Sequence, residues 1–290
     1  MKTATTIQEQ IQKLKERGMT IENESKAHEI LLDIGYYRLG FYWFPFEQGY
    51  PNKKDRDHKF IEGASFKSAV DLYCWDCEIR DLLAPYLYRI EVNLRTFLIY
   101  TVSNNYKQRP TWFADNRVVG PNFLLALPNI YEAIRSNEAI SNHHKKYPND
   151  KYAPAWKTLE YMSLGDIITL VQNLKDNNLQ KKIAIHYGIR NLDVFYSYLK
   201  TIRLVRNLCA HGHNLFDLKL QKSIKPGPIA DKMIAPSNHN LCGVLLVIFY
   251  MLHRISSNRE QELRDKIKGL LSKPKYKDIE SLVLYLNNVL

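Results

Sequence analysis

The stretch Thr201-Ile202-Arg203-Leu204-Val205-Arg206-Asn207-Leu208-Cys209-Ala210-His211-Gly212-His213-Asn214 gathers a fixed cation, an amide and an imidazole within about two helical turns. As a helix it places Asn207 and His211 at i and i+4 on one face. Arg203 lies one turn further back, and Arg206 projects from the edge. Ile202, Leu204 and Leu208 are the expected apolar anchor. Gly212 is the residue expected to end or loosen the helix beside the imidazole.

Those side chains suit one kind of chemistry. An arginine keeps its charge and grips phosphate in a planar fork, while histidine exchanges a proton near neutral pH. Asparagine can orient either. An RNA strand carries its own nucleophile in the 2′-hydroxyl, so cleavage needs proton transfer and stabilisation of charge on the phosphoryl oxygens. The spacing alone leaves a second reading open, in which a helix-end histidine caps carbonyls beside an arginine paired with an acid.

Around this motif the periodicity is helical. Apolar residues at Ile7, Ile11 and Leu14 predict a helix over 7–17 that stops at Gly18, and a second follows over 25–34. The segment 66–83, with Val70, Tyr73, Cys74, Cys77 and Leu82 on its apolar face, leads to Pro85, expected to break or kink the chain before a helix over 86–104. Further helices are expected over 123–136, from the N-cap Ser163 to about 175, over 179–187, and from 192 into the motif. Three more close the chain: an apolar one over 241–255, a basic amphipathic one over 260–271, and a last from 278. Alternating strand patterns, a glycine-rich phosphate loop, a nucleophile elbow and a His-Glu-x-x-His pair do not occur, which removes several enzyme classes.

Composition narrows the partner. The 290 residues are 45% hydrophobic, ample for a core, and carry a formal charge of +11. Clusters such as Lys53-Lys54-Asp55-Arg56, Lys145-Lys146 and Lys181-Lys182 favour an anionic partner, nucleic acid above a membrane surface. An apolar leader after Met1 and an apolar run of spanning length are both lacking, so a soluble, cytoplasmic protein is expected. Cys74-Trp75-Asp76-Cys77 lacks the second closely spaced pair that a zinc site needs, and is read as small apolar residues without metal. His143-His144 is expected on the solvated surface. The run from Gly35 to Phe46, dense in aromatic residues, is open to two readings, core packing or a platform on which bases stack.

Several segments carry a resemblance. Arg206-Asn207-x-x-x-His211 resembles the Arg-polar-x-x-x-His signature of HEPN ribonucleases, and residues 203–211 resemble the RN-x-CAH segment of Abi-like abortive-infection proteins. Residues 34–46, IGYYRLGFYWFPF, are similar to that family's opening. Asp76, Arg80, Arg89, Glu91 and Arg95 match its next segment, and Trp156, Glu160, Ser163 and Gly165 a third. An RLWN-like tail usual after the histidine is replaced here by Asn214-Leu215-Phe216-Asp217.

The resemblance implies an all-α, HEPN-like helical bundle with additional N- and C-terminal helices. One module over 1–290 is expected, divided into N-terminal helices and aromatic segment (1–60), helical core (61–220), and basic loop with C-terminal helices (221–290). It implies a metal-independent endoribonuclease without cofactor, acting in phage defence or as a toxin, with Arg206, Asn207 and His211 catalytic. Relatives build one cleft from two motifs, so a homodimer facing one RNA is implied, leaving cyclic-phosphate ends. A restraining noncoding RNA or antitoxin is a further possible partner. Arg203, His213, Arg38, Arg80, Glu91, Arg95, Glu160, Lys219 and Lys222 are the supporting or RNA-binding candidates. The other classes open to this sequence are a non-catalytic RNA-binding module, a protein-interaction sensor of a phage component and a nucleotide-binding helical domain.

Overall fold

The computed structural model describes residues 3–54, 56–233 and 237–290; Asp55 of the basic cluster lies outside them. The chain is all-α. Among the described residues there is no sheet, only three isolated bridges, such as Thr20 to Ser65. Helices α1 (Ile7–Glu16), α2 (Glu24–Ile34) and α3 (Tyr36–Trp43) lead into α4 (Phe66–Asn105), of 40 residues. Next come α5 (Pro121–Ile134), α6 (Glu138–Lys146), α7 (Ala155–Tyr161), α8 (Leu164–Gln172), α9 (Asn177–His186) and α10 (Leu192–Ala210). The chain closes with α11 (Leu241–Ile255), α12 (Ser257–Leu271) and the short α13 (Glu280–Val283).

Local chemistry sets several of the ends. Thr6 and Glu9 form a reciprocal capping box at the start of α1, and Ser163 and Asp166 form another at α8, each satisfying amide donors that a helix start leaves bare. Gly18 stops α1 in a left-handed conformation, φ +95°, which costs glycine little.

α4 is the spine. At 1.5 Å per residue it runs about 60 Å, and α3, α7, α10, α11 and α12 pack along it. Pro85 does not break it. Pro85 lacks the amide that would bond the Asp81 carbonyl, and both residues are exposed. On the opposite side Leu83, Tyr86 and Leu87 are buried in the core. That burial on both sides of the proline offsets the roughly 3 kcal/mol a helix-interior proline costs.

The buried face of α4 also differs from the expected one. Val70, Tyr73, Cys74, Cys77 and Leu82 are only half-buried, while Leu72, Trp75, Asp76, Ile79, Arg80, Glu91 and Arg95 are interior. The expected face was chosen from apolar residues alone, whereas the pairs Asp76–Arg80 and Glu91–Arg95 occupy the interior as ion pairs. His143 likewise leaves the solvent: it is 5% exposed, with Nε2 2.9 Å from Asp150 Oδ2. It shares the inner side of α6 with Ile140, three residues earlier, and an acid partner makes its burial tolerable.

The aromatic run packs into the core only in part. Tyr42, Trp43 and Phe44 are buried, whereas Tyr37 and Phe41 are 83% and 48% exposed. A small N-terminal core of Ile11, Leu14, Leu31, Leu39 and Trp43 extends to Phe66 and Ala69 of α4. The main core runs from Tyr42 to Val289 and includes most of α11, a helix buried on nearly every side. Among the described residues no helix is long and apolar enough to cross a membrane.

Candidate functional site

α10 begins at Asn191, whose side chain accepts from the amides of Asp193 and Val194. Phe195, Tyr198, Leu199, Ile202 and Val205 form its buried stripe. Of the expected anchor, Ile202 is buried and Leu208 half-buried, but Leu204 is exposed. Two residues on from Ile202, Leu204 is turned about 200° around the axis and so faces solvent. Arg206 and Asn207 sit half-buried at the rim, and Arg203 and His211 are exposed.

The helix ends at the imidazole. His211 donates its amide to the Asn207 carbonyl at 3.0 Å, Gly212 to Cys209 at 3.3 Å and His213 to Leu208 at 2.9 Å. With Gly212 at φ +65°, this is the left-handed closure that satisfies the last helical carbonyls. The His211 and His213 rings stand edge to face, centroids 6.4 Å apart.

Distant elements fix the chain just after His211. Arg38 of α3 donates to the Gly212 carbonyl at 3.0 Å, and Arg80 of α4 to that of His213 at 3.3 Å. Asp76 Oδ1 accepts from the amides of Leu215, at 2.9 Å, and Phe216, at 2.6 Å. Its other oxygen pairs with Arg80 and accepts from Tyr42 Oη at 2.8 Å. Burial raises the Asp76 carboxyl above the usual carboxylate range, against the pull of Arg80 and these donors. Asp76 and Tyr42 were not among the candidates. The signal available was an acid four residues before Arg80, a spacing that suits an ion pair on one helix face.

A second group holds Arg206. Its Nε lies 3.3 Å from Glu91 Oε2, and its Nη1 is 3.5 Å from the Asn207 side-chain oxygen. Arg95 donates to Glu91 Oε1 at 2.9 Å and to the Met162 carbonyl at 3.0 Å. Glu91 and Arg95 are 4% and 5% exposed, so one interior carboxylate orients both arginines. Arg203 lies over Gly165 at the start of α8, where a Cβ would meet its guanidinium carbon at 2.8 Å.

Arg38, Arg80, Glu91, Arg95 and His213 are therefore assembled around the end of α10. Three candidates are not. Glu160 is exposed and joins neither network. Lys219 pairs with Asp217 at 3.8 Å, and Lys222 is exposed; neither contacts the Arg206–His211 segment. Cys74 and Cys77 are free thiols, and among the described residues no group of three or more His, Cys, Asp or Glu gathers as metal ligands.

Fold and site together define an all-α protein whose cations, amide and imidazole are mounted, exposed or half-buried, at one buttressed helix end. The chain belongs to the Abi-like protein family, whose model matches residues 29–217, from within α2 to just past the turn that follows His211. No curated protein and no solved structure gives a significant match.

Proposed function

We propose that this chain is a metal-independent endoribonuclease of HEPN type that acts in abortive infection or as a toxin. Membership of the Abi-like family supports the defence role. The observation that carries the chemistry is the exposed His211 at the end of α10, one turn from Asn207 and beside a half-exposed Arg206 oriented by Glu91.

In this reading a histidine removes the proton from a 2′-hydroxyl as its oxygen attacks the adjacent phosphorus. A second imidazole returns a proton to the departing 5′-oxygen. Arg206 neutralises charge on the phosphoryl oxygens and Asn207 orients the neighbouring groups. The P–O bond to the 5′-oxygen breaks, leaving a 2′,3′-cyclic phosphate and a 5′-hydroxyl with no water consumed. One chain supplies one such motif, so two copies facing one RNA provide both imidazoles.

In a second reading the same exposed His211 and half-exposed Arg206 hold phosphate without cutting it. Purified wild-type and His211→Ala protein, incubated with cellular RNA in excess chelator, separate the two. Cyclic-phosphate ends from wild type alone are expected. Intact RNA with both proteins, bound with equal affinity, sinks the catalytic reading.

A further inference from the structure

A cavity of about 820 Å³ lies between α1, α3 and the loop around Arg56 and His58, apart from the end of α10. Lys13 of α1 and Arg17, the residue that caps its end, stand four residues apart, and α3 contributes Tyr37 and Phe41, one turn apart. The Tyr37 and Phe41 rings meet edge to face, centroids 5.7 Å apart, and both remain open to solvent while their neighbours Leu39, Tyr42 and Trp43 fill the core. Among the described residues lining the cavity none is a carboxylate. The nearby Glu47 is 3% exposed and already engaged by Arg56.

Paired exposed rings beside cations that carry no acidic lining match a single nucleic-acid strand, whose bases offer faces and whose backbone offers phosphates. A duplex does not fit this surface, because its bases are already stacked on one another. The location adds direction. A smaller cavity of about 90 Å³ shares Gly40, Phe41 and Arg56 with the first and is also lined by Asn214, three residues beyond His211, and by Asp217, which Lys53 and Lys219 engage. Arg38, the neighbour of Tyr37, donates to the Gly212 carbonyl, so α3 joins this face to the turn beside the imidazole.

We infer that the α1–α3 face binds a single-stranded RNA segment flanking the phosphate held at Arg206 and His211, its bases stacking on Tyr37 and Phe41 and its phosphates paired with Lys13 and Arg17. The direction in which the strand leads rests on the ribonuclease reading. The binding itself does not.

The test is fluorescence anisotropy of the full chain with a short, unstructured 2′-O-methyl RNA, which has no free 2′-hydroxyl to attack, and with the same strand in a duplex. Tyr37→Ala/Phe41→Ala should weaken single-strand binding by about tenfold or more, and Tyr37→Trp should keep it. Lys13→Glu should weaken binding and lower its salt dependence by about one counterion. These side chains are exposed, so circular dichroism should stay unchanged. Equal single-strand affinity in the aromatic double variant, or a wild-type preference for the duplex, overturns the inference. A chain that cleaves natural RNA yet binds equally well without the two rings refutes this face and leaves the ribonuclease reading standing. A chain that loses binding with the rings but never cleaves does the reverse.

Discussion

Arg206 and Glu91, 115 residues apart in sequence, meet with Nε 3.3 Å from Oε2, while the other oxygen of the same carboxylate holds Arg95 at 2.9 Å. Glu91 thus joins an interior cation to one at the surface. The two arginines should respond differently to its loss.

Glu91→Ala removes the counter-charge of Arg95, which is 5% exposed, and should cost about 3–5 kcal/mol. Arg206→Ala leaves the Glu91–Arg95 pair intact. Its side chain is 41% exposed, so roughly 1 kcal/mol or less is expected. Urea denaturation of both variants measures the difference, and equal losses would show that Arg95 has other means of compensation.

For cleavage the order reverses. Arg206→Ala and His211→Ala should each lower the rate by about 10²- to 10⁴-fold with unchanged helicity. Arg206→Lys should recover little, because a point charge does not replace the planar fork. Rates from purified protein in chelator decide this, and near-wild-type cleavage by His211→Ala would remove the imidazole from the chemistry.

Arg38→Ala deletes one exposed hydrogen bond to the Gly212 carbonyl, expected to cost about 1 kcal/mol. It should slow cleavage more than it lowers stability, since the turn carrying His211 loses a brace. Asp76→Ala is the contrasting case. It leaves the buried Arg80 and two backbone amides without their acceptor, so a loss of at least about 3 kcal/mol is expected. Paired melting and cleavage measurements test both, and proportional losses of stability and rate in Arg38→Ala would argue against a specific brace.

His186 should make stability depend on pH. Burial against Phe97, whose ring stacks at 3.8 Å, and the charge of Arg254 hold its pKa below the ordinary histidine value. The unfolded chain therefore binds this proton more readily than the native one. The stability from the neutral ring is complete above the unfolded value of about 6.5 and falls as pH drops below it. Melting temperature measured between pH 7 and 5 should decline, and less steeply in His186→Gln; identical slopes would exclude this histidine as a contributor.

Two thiols should be inert. Burial pushes Cys209 up to about 12 and Cys242 up to about 11, from an ordinary 9.0. Near neutral pH that leaves Cys209 with roughly 1000-fold less thiolate than an ordinary cysteine, and the thiolate is the reactive form. Iodoacetamide should label both residues slowly in the native chain and readily in denaturant, as peptide mapping would show. Rapid native labelling of Cys209 would mean that the end of α10 opens.

Much of the helical layout was legible because its signals are local. The N-cap at Ser163, the stop at Gly18 and the i, i+4 placement of Asn207 and His211 depend on neighbours within a turn. The break open to Pro85 does not occur for the same reason: its cost is local, while the burial of Leu83, Tyr86 and Leu87 that offsets it comes from other helices. The apolar face of α4 was read from hydrophobicity, which cannot see that Asp76 and Arg80, or Glu91 and Arg95, carry their counter-charges inward together.

By itself the sequence determined that this chain is helical, where α10 stops, and which cation, amide and imidazole stand together there, because backbone propensity and helix spacing act over a few residues. Only the tertiary structure decided what supports that end. Arg38 reaches Gly212 across 174 residues, and Glu91 reaches Arg206 across 115. The worth of each contact depends on burial and charge contributed by α3 and α4, which no local pattern around the motif encodes.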